Sequence, residues 1–176
     1  MHRLVKLIGR ERIAARVEEL GREISEDFRG EQIALVAALK GAVFFVADLA
    51  RAISVPVELD FVSAHSYEAG RSSGAIRLEK APSLDLKGKR VVLVEDIIDT
   101  GRTCAFLENL ILTRDPKVFK VCALLDKPAN RIVTTALDYV GFTVENRFVV
   151  GYGLDYMEKY RNLDDICVLE QKEDAL

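Results

Sequence analysis

The chain has 176 residues, of which 49% are hydrophobic and 30% are charged, and its formal net charge is −3. This length allows one sizeable core and is too short for two ordinary domains. The negative charge balance gives no electrostatic argument for a broad surface that binds nucleic acid or a membrane.

Cysteine usage and the N-terminal segment favour a cytoplasmic protein. Cys104, Cys122 and Cys167 are odd in number and lack metal-type spacing, so we expect buried free thiols in a reducing compartment. The N-terminal sequence MHRLVKLIGRER has no uninterrupted apolar region, and no apolar run approaches the roughly eighteen residues of a membrane span. We therefore expect no membrane partner.

The first third of the chain predicts helices alternating with a buried strand. Apolar residues at three- and four-residue spacing predict an amphipathic helix from about Arg10 to Phe28. The uncharged run from Ile33 to Leu39 predicts a buried strand, and a helix from Ala42 to Ile53 follows it. Lys40 and Gly41 lie between this strand and helix. Taken alone, Lys40 could equally be the first polar residue after a strand.

The next segment predicts a hairpin with a long polar loop. Apolar and polar residues alternate from Val57 to Val62, which suits a strand near a sheet edge. Ile76 to Glu79 is expected to pair with this strand. The intervening span from Ala64 to Gly74 contains two glycines and three serines. Loops of this length in a compact domain often act as lids over a functional site.

The stretch VVLVEDIIDTGRT, residues 91–103, carries the strongest signal in the chain. Its four leading aliphatic residues predict a strand buried on both faces of a parallel sheet. Three carboxylates, Glu95, Asp96 and Asp99, come where that strand should end. Gly101 then precedes an amphipathic helix. Open α/β sheets bind their ligands at junctions of this kind.

The chemistry of this junction favours a ligand that carries more than a phosphate. Unpaired backbone N–H groups at the helix start would hold a phosphate, with Gly101 allowing close approach. Glu95 and Asp96 would repel that phosphate unless a divalent cation or a sugar hydroxyl faces them. A tight turn with solvated acids is the alternative. No Walker-type or dinucleotide-binding glycine pattern occurs in the chain.

The remaining elements complete an α/β pattern. The helix after residue 103 should end near Asp115, because Pro116 disfavours helical geometry in the residue before it. Val118 to Leu125 predicts a third buried strand. A short strand or turn is expected at Tyr139 to Phe142, and a last short strand at Ile166 to Leu169. Strand and helix in alternation predict a mostly parallel, twisted sheet flanked by helices. We expect a single domain, residues 1–176, with a small hood over the strand ends formed by N-terminal residues and roughly residues 127–176.

Four motifs, in order along the chain, resemble those of one enzyme family. Residues 91–103 resemble the phosphoribosyl-pyrophosphate (PRPP) signature of type I phosphoribosyltransferases, in the version found in hypoxanthine-guanine phosphoribosyltransferases. The segments LKG at 39–41, LLDK at 124–127 and FVVGYGLDY at 148–156 resemble other segments of the same enzymes. The resemblance extends from about residue 35 to residue 169 and implies the type I phosphoribosyltransferase fold. Many relatives have a second glycine where this chain has Ala42.

The resemblance implies a role for each motif. PRPP and pyrophosphate would contact Lys40, Gly41, Glu95, Asp96, Asp99, Thr100, Gly101, Arg102, Thr103 and Arg161. The purine would contact Lys127, Phe148, Val149 and Asp155, with Phe148 stacked on the base and Lys127 donating to its 6-oxygen. Mg²⁺ would be held by Glu95, Asp96 and Asp155. Asp99 would be the catalytic base at purine N7. The flexible lid would include Ser66, Tyr67, Ser72, Ser73 and Gly74.

The implied activity is purine salvage: transfer of 5-phosphoribosyl from PRPP to N9 of hypoxanthine or guanine, giving IMP or GMP and pyrophosphate. The resemblance also implies assembly as a homodimer or homotetramer. Adenine should be a poor substrate, because its 6-amino group would leave the Lys127 donor unpaired. Two alternatives stay open: a phosphoribosyltransferase for another base, such as xanthine, and an RNA-binding regulator on the same fold. The acidic charge balance, the lid and Asp99 argue against the regulator.

Overall fold

A six-stranded sheet with helices on both faces forms the centre of the structure, a computed structural model that describes residues 2–67 and 75–171. In chain order the elements are β1 (His2–Ile8), α1 (Arg10–Asp27), β2 (Ile33–Leu39), α2 (Val43–Ala52), β3 (Val57–Tyr67), β4 (Ala75–Lys80), β5 (Arg90–Ile98), α3 (Arg102–Leu112), β6 (Val118–Asp126), β7 (Tyr139–Thr143), β8 (Val149–Val150) and β9 (Ile166–Gln171). The α/β architecture confirms the predicted fold class.

The order of strands in the large sheet places a crevice at its centre. The order is β4-β3-β2-β5-β6-β7, and all neighbours are parallel except β3 and β4. From β2 the chain crosses through α2 to β3 on one side, and from β5 it crosses through α3 to β6 on the other. The carboxyl ends of β2 and β5 therefore meet at a topological switch point, where open sheets of this type bind ligands.

The uncharged strands are buried because both faces of the sheet are covered. Alternate residues of β2 and β5 pack toward the side of α1 and α2, and these are Leu35, Ala37, Val92 and Val94. Their neighbours pack with α3 on the opposite side, and these are Ala34, Val36, Val91 and Leu93. Two packed faces explain why these strands are continuously apolar rather than alternating.

A second, three-stranded sheet joins the two ends of the chain. Its order is β1-β9-β8, with antiparallel pairing throughout. We did not predict β1 from the sequence. Its residues pair with a strand more than 150 positions later in the chain, and Val5, for example, pairs with Val168. Strand β8 follows Phe148 directly, so this sheet fixes the backbone of one predicted purine contact.

Two expectations about the strands differ from the observed structure, and part of a third falls outside the described residues. Strand β3 continues to Tyr67, so the backbone of Ser66 and Tyr67 pairs with β4 instead of beginning a loop. The predicted lid residues Ser72, Ser73 and Gly74 lie outside the described residues. Strand β7 pairs with β6 in the large sheet, although we had expected it within the hood.

The structure also describes the state of the cysteines and the character of the helices. All three cysteines are buried and free, as predicted. Within residues 2–67 and 75–171, no helix combines the length and apolar character that crossing a membrane requires.

Candidate active site

A cavity of about 330 Å³ lies over the carboxyl ends of β2 and β5 and gathers predicted residues from four separate segments. The predicted residues that line it are Lys40, Gly41, Glu95, Asp96, Thr103, Asp155 and Arg161. Other predicted contacts are not part of this lining. Among them, Asp99 follows β5, Lys127 follows β6 and Phe148 precedes β8. The residues predicted to contact the base therefore lie apart from the cavity that is lined by carboxylates and cations.

The paired carboxylates lie within β5 rather than after it. Strand β2 pairs with β5 only as far as Val94, whereas β6 continues to pair through Ile98. The last residues of β5 thus have a strand on one side and the cavity on the other. This one-sided pairing explains why the strand is longer than predicted and how Glu95 and Asp96 reach the cavity.

Gly41 is required by the position of Asp96. A Cβ atom on Gly41 would lie 1.7 Å from Asp96 Oδ2, far inside van der Waals contact. The loop that follows β2 therefore packs directly on the carboxylate, and the Leu39–Lys40 peptide bond in it is cis. Gly153 packs on the same loop, since a Cβ there would lie 2.0 Å from the Gly41 carbonyl oxygen.

Burial shifts the protonation of both paired carboxylates. Burial raises the pKa of Glu95 well above its usual range, and the charge of Asp96 adds to the rise. Burial also raises the pKa of Asp96 to about 6, although backbone N–H groups and Arg161 act in the opposite direction. Glu95 Oε1 is buried without a hydrogen-bond partner. A cation or hydroxyl donors beside the pair would offset the free-energy cost of burying these carboxylates.

The donor set suits a divalent cation that is shared with a ligand. Among residues 2–67 and 75–171, no three carboxylate, imidazole or thiol side chains form a cluster that would hold a metal alone. Asp155, the third predicted ligand, lines the same cavity but pairs with Arg161 at 2.8 Å. Mg²⁺ commonly takes one or two carboxylates and completes its shell with water and substrate oxygens. The unpartnered Glu95 oxygen agrees with such an arrangement.

The start of α3 presents backbone donors for a phosphate. Gly101 adopts φ 82°, a left-handed conformation that favours glycine, and no side-chain hydrogen bond caps the helix. The best side-chain contact nearby is Thr100 Oγ1, which accepts a long hydrogen bond of 3.4 Å from the Arg102 N–H. The N–H groups of the first turn are thus available to an anion. Residues 100–103 were predicted to bind a phosphate in this way.

A carboxylate that we did not predict lies between the two cations expected to contact pyrophosphate. Glu158 Oε2 accepts hydrogen bonds from Lys40 Nζ at 3.1 Å and from Arg161 Nη2 at 3.3 Å. The Lys40 and Glu158 side chains are 60% and 66% exposed, so solvent screens this ion pair and it contributes little to stability. An entering pyrophosphate group could replace Glu158 at low cost.

Lys127 and Asp99 come together at the other part of the site. Lys127 is only 6% exposed, and its Nζ lies 3.8 Å from Asp99 Oδ2. The Lys127 N–H donates to the Ile98 carbonyl at 2.9 Å, which ties the end of β6 to the end of β5. A buried ammonium and a partly exposed carboxylate, whose Oδ1 is buried without a hydrogen-bond partner, thus lie side by side.

Phe148 has the exposure that a stacking residue needs. Its side chain is 52% exposed, although large apolar residues are usually buried. It contacts the Tyr156 ring edge-to-face with 5.6 Å between ring centroids. Val149, the next residue, is buried in β8 and pairs with Val168. One face of Phe148 is therefore supported, while the ring remains accessible to a planar ligand.

Arg131, like Glu158, is a residue of this region that we did not predict. Its guanidinium donates to the carbonyls of Asp99 and Ile98 at 3.1 and 3.3 Å. Nothing in its sequence neighbourhood, apart from its position four residues after Lys127, pointed to a contact with residues more than thirty positions earlier.

Comparison with known proteins agrees with this geometry. The family model described as "Phosphoribosyl transferase domain" matches residues 7–157, so the chain belongs to the phosphoribosyltransferase family. A hypoxanthine-guanine phosphoribosyltransferase of Mycobacterium avium is 44% identical over 94% of this chain and 85% of that protein. Within the family, the chain therefore belongs with the hypoxanthine-guanine phosphoribosyltransferases.

Solved structures give the same assignment. A hypoxanthine-guanine phosphoribosyltransferase from Bacillus anthracis has a TM-score of 0.91 and 42% identity, and the match covers 97% of this chain and 100% of that one. A Trypanosoma cruzi hypoxanthine phosphoribosyltransferase in complex with the product IMP has a TM-score of 0.88 and 38% identity, over 94% and 93% of the two chains.

Replacing Gly41 should impair PRPP binding without unfolding the protein. In Gly41→Ala the new methyl group would displace the Asp96 carboxylate, so we expect the KM for PRPP to rise about tenfold or more. Gly9→Ala is the matched control, because its nearest neighbour would be 3.5 Å from the new Cβ. Steady-state kinetics and thermal unfolding of both variants test this expectation, and an unchanged KM for PRPP in Gly41→Ala would contradict it.

Neutralising Glu158 should strengthen pyrophosphate binding. In Glu158→Gln, Lys40 loses its carboxylate partner and Arg161 keeps Asp155 but loses Glu158, so inhibition by pyrophosphate should become about two- to fivefold tighter, in line with exposed ion pairs. Glu18→Gln on the exposed side of α1 is the control. The inhibition constant of pyrophosphate is the measurement, and equal or weaker inhibition in Glu158→Gln would show that Glu158 does not compete for this site.

Proposed function

We propose that this protein transfers the 5-phosphoribosyl group of PRPP to N9 of hypoxanthine or guanine in the presence of Mg²⁺. The observation that carries the choice of base is the buried Lys127 ammonium beside Asp99, because a buried cation needs an acceptor such as a 6-oxygen. The family membership and the cavity with its paired carboxylates support the choice of PRPP as donor.

The carboxylate and cation part of the site binds PRPP. Glu95 and Asp96 accept hydrogen bonds from the ribose diol or share a cation with it, and the first turn of α3 holds the 5-phosphate. Lys40 and Arg161 face the pyrophosphate. When bound, Mg²⁺ supplies positive charge that offsets the negative charge developing on the leaving group.

The reaction breaks the bond between C1 of the ribose and the pyrophosphate oxygen and forms the bond between C1 and N9. The electron pair of the broken bond leaves with pyrophosphate, and C1 passes through an oxocarbenium-like state. A purine that enters with hydrogen on N7 loses that proton to Asp99 as N9 attacks. Phe148 stacks on the base, and Lys127 donates to its 6-oxygen.

An assembly of two or four copies is also part of the proposal. Val43 and Phe44 on α2 are 37% and 44% exposed, close to Lys40 in the chain. A second copy that covers this face would bury apolar surface next to the pyrophosphate part of the site.

A panel of bases tests the proposed function. With PRPP and Mg²⁺, a spectrophotometric assay of hypoxanthine, guanine, xanthine, adenine and uracil should show turnover of hypoxanthine or guanine. The kcat/KM for adenine should be at least about 100-fold lower, because its amino group leaves the Lys127 donor unpaired. Preference for adenine or uracil, or no transfer to any base, would contradict the proposal.

Lys127→Ala should weaken binding of the purine base and leave binding of PRPP unchanged. The contact is confined to the base, so we expect the KM for the oxopurine to rise about tenfold or more, since a hydrogen bond to a charged group is worth about 1.5–3 kcal/mol. The KM for PRPP should stay near the wild-type value. Lys117→Ala, at an exposed position before β6, is the control. Equal rises in both KM values would make Lys127 a structural or phosphate-binding residue.

A further inference from the structure

The Asp99 carboxylate has little to hold it in place. In the described part of the chain its Oδ1 has no hydrogen-bond partner, and Oδ2 lies 3.8 Å from Lys127 Nζ, beyond hydrogen-bond distance. Oδ1 is shielded from solvent although the side chain as a whole is 43% exposed, so this oxygen packs against the protein without a polar partner. The position of the carboxylate is therefore set by the backbone that carries it and not by hydrogen bonds of its own.

Arg131 holds that backbone. Its Nε donates to the Asp99 carbonyl at 3.1 Å and its Nη2 donates to the Ile98 carbonyl at 3.3 Å. Nη2 also forms an ion pair with the Asp126 carboxylate, and Nη1 donates to Thr135 Oγ1 at 3.1 Å. All three guanidinium nitrogens are therefore engaged, and the Arg131 and Asp126 side chains are both 17% exposed.

The residues after Arg131 hold the remainder of the loop. The Thr100 carbonyl accepts hydrogen bonds from the N–H groups of Ile132 at 2.9 Å and Val133 at 3.0 Å. Gly101 is packed so closely that an added Cβ would lie 2.3 Å from the Val133 carbonyl oxygen. Residues 131–133 thus contact every residue from 98 to 101 and leave the Asp99 side chain free.

We propose that Arg131 is a positioning residue that holds two consecutive carbonyls of the loop and thereby sets where the Asp99 carboxylate meets the purine. The inference rests on the proposed role of Asp99 in base transfer. A lysine could keep the charge opposite Asp126. It could not reproduce the planar arrangement of donors, since its ammonium is a compact point charge.

A double-mutant cycle tests whether Arg131 acts through Asp99. Arg131→Lys should lower kcat about 10- to 100-fold, as expected for a misplaced catalytic group, while the KM for PRPP changes less than about threefold. In the Asp99→Asn background the same substitution should lower kcat by less than about twofold, because the group it positions is already lost. Arg114→Lys is the control: Arg114 Nη1 also donates to a backbone carbonyl, that of Pro82 at 2.9 Å, away from the site.

Additive losses of kcat in the cycle would overturn the proposal and leave Arg131 a structural residue. An unchanged kcat in Asp99→Asn would show that Asp99 is not the base, and the inference about its positioning would fall with it. A wild type that transfers to no base would instead refute the proposed function.

Amide hydrogen exchange tests whether Arg131 holds the loop, and this measurement does not depend on catalytic activity. In Arg131→Lys the segment 97–103 should exchange about tenfold faster than in the wild type or in Arg114→Lys, while β2 and the rest of β5 remain unchanged. Faster exchange confined to this segment supports the proposal even where activity is absent. Unchanged exchange there, or faster exchange throughout the sheet, would overturn it.

Discussion

The site depends on two adjacent carboxylates, one buried and one partly buried, where the sheet opens. Beyond Val94, strand β5 is no longer paired with β2, and Glu95 and Asp96 face the cavity under the Gly41 loop. Removing carboxylates from water is costly, and burial raises the pKa of both groups. A cation or a diol placed on this pair would offset that cost, so the same burial that lowers stability favours the ligand.

The two parts of the site share one short piece of backbone. The end of β5 carries the paired carboxylates, the next residues carry Asp99, and the first turn of α3 carries the proposed phosphate donors, all within residues 95–103. The segment after β6 carries Lys127, the proposed contact to the base, and Arg131, which donates to the loop carbonyls. Under the proposed function a single loop sets both purine contact and phosphate contact, and a small displacement of it should affect transfer more than the binding of either substrate.

Local patterns predicted most of the fold, while contacts distant in sequence were missed. The uncharged run of β2 and the spacing in α1 were sufficient to predict those elements, because burial on two faces leaves a continuous apolar run and burial on one face leaves a helical period. Strand β1 has charged residues among its apolar ones and gains its place only by pairing with β9, so no local signal identifies it. The motif resemblance predicted the candidate site residues, whereas the contacts of Arg131 and Glu158 form only in the folded chain and have no local signal.

The dependence of stability on pH tests the central claim most directly. The folded pKa of Asp96 is about 6 against an ordinary value of 3.8, so the folded state binds more protons between these values and loses stability as pH rises through them. In denaturant unfolding without ligand between about pH 4 and pH 6, the wild type should lose more stability than Asp96→Asn. Mg²⁺ with PRPP should remove most of the wild-type loss. Parallel curves for the two proteins without ligand would show that the Asp96 carboxylate is already compensated and would contradict the account.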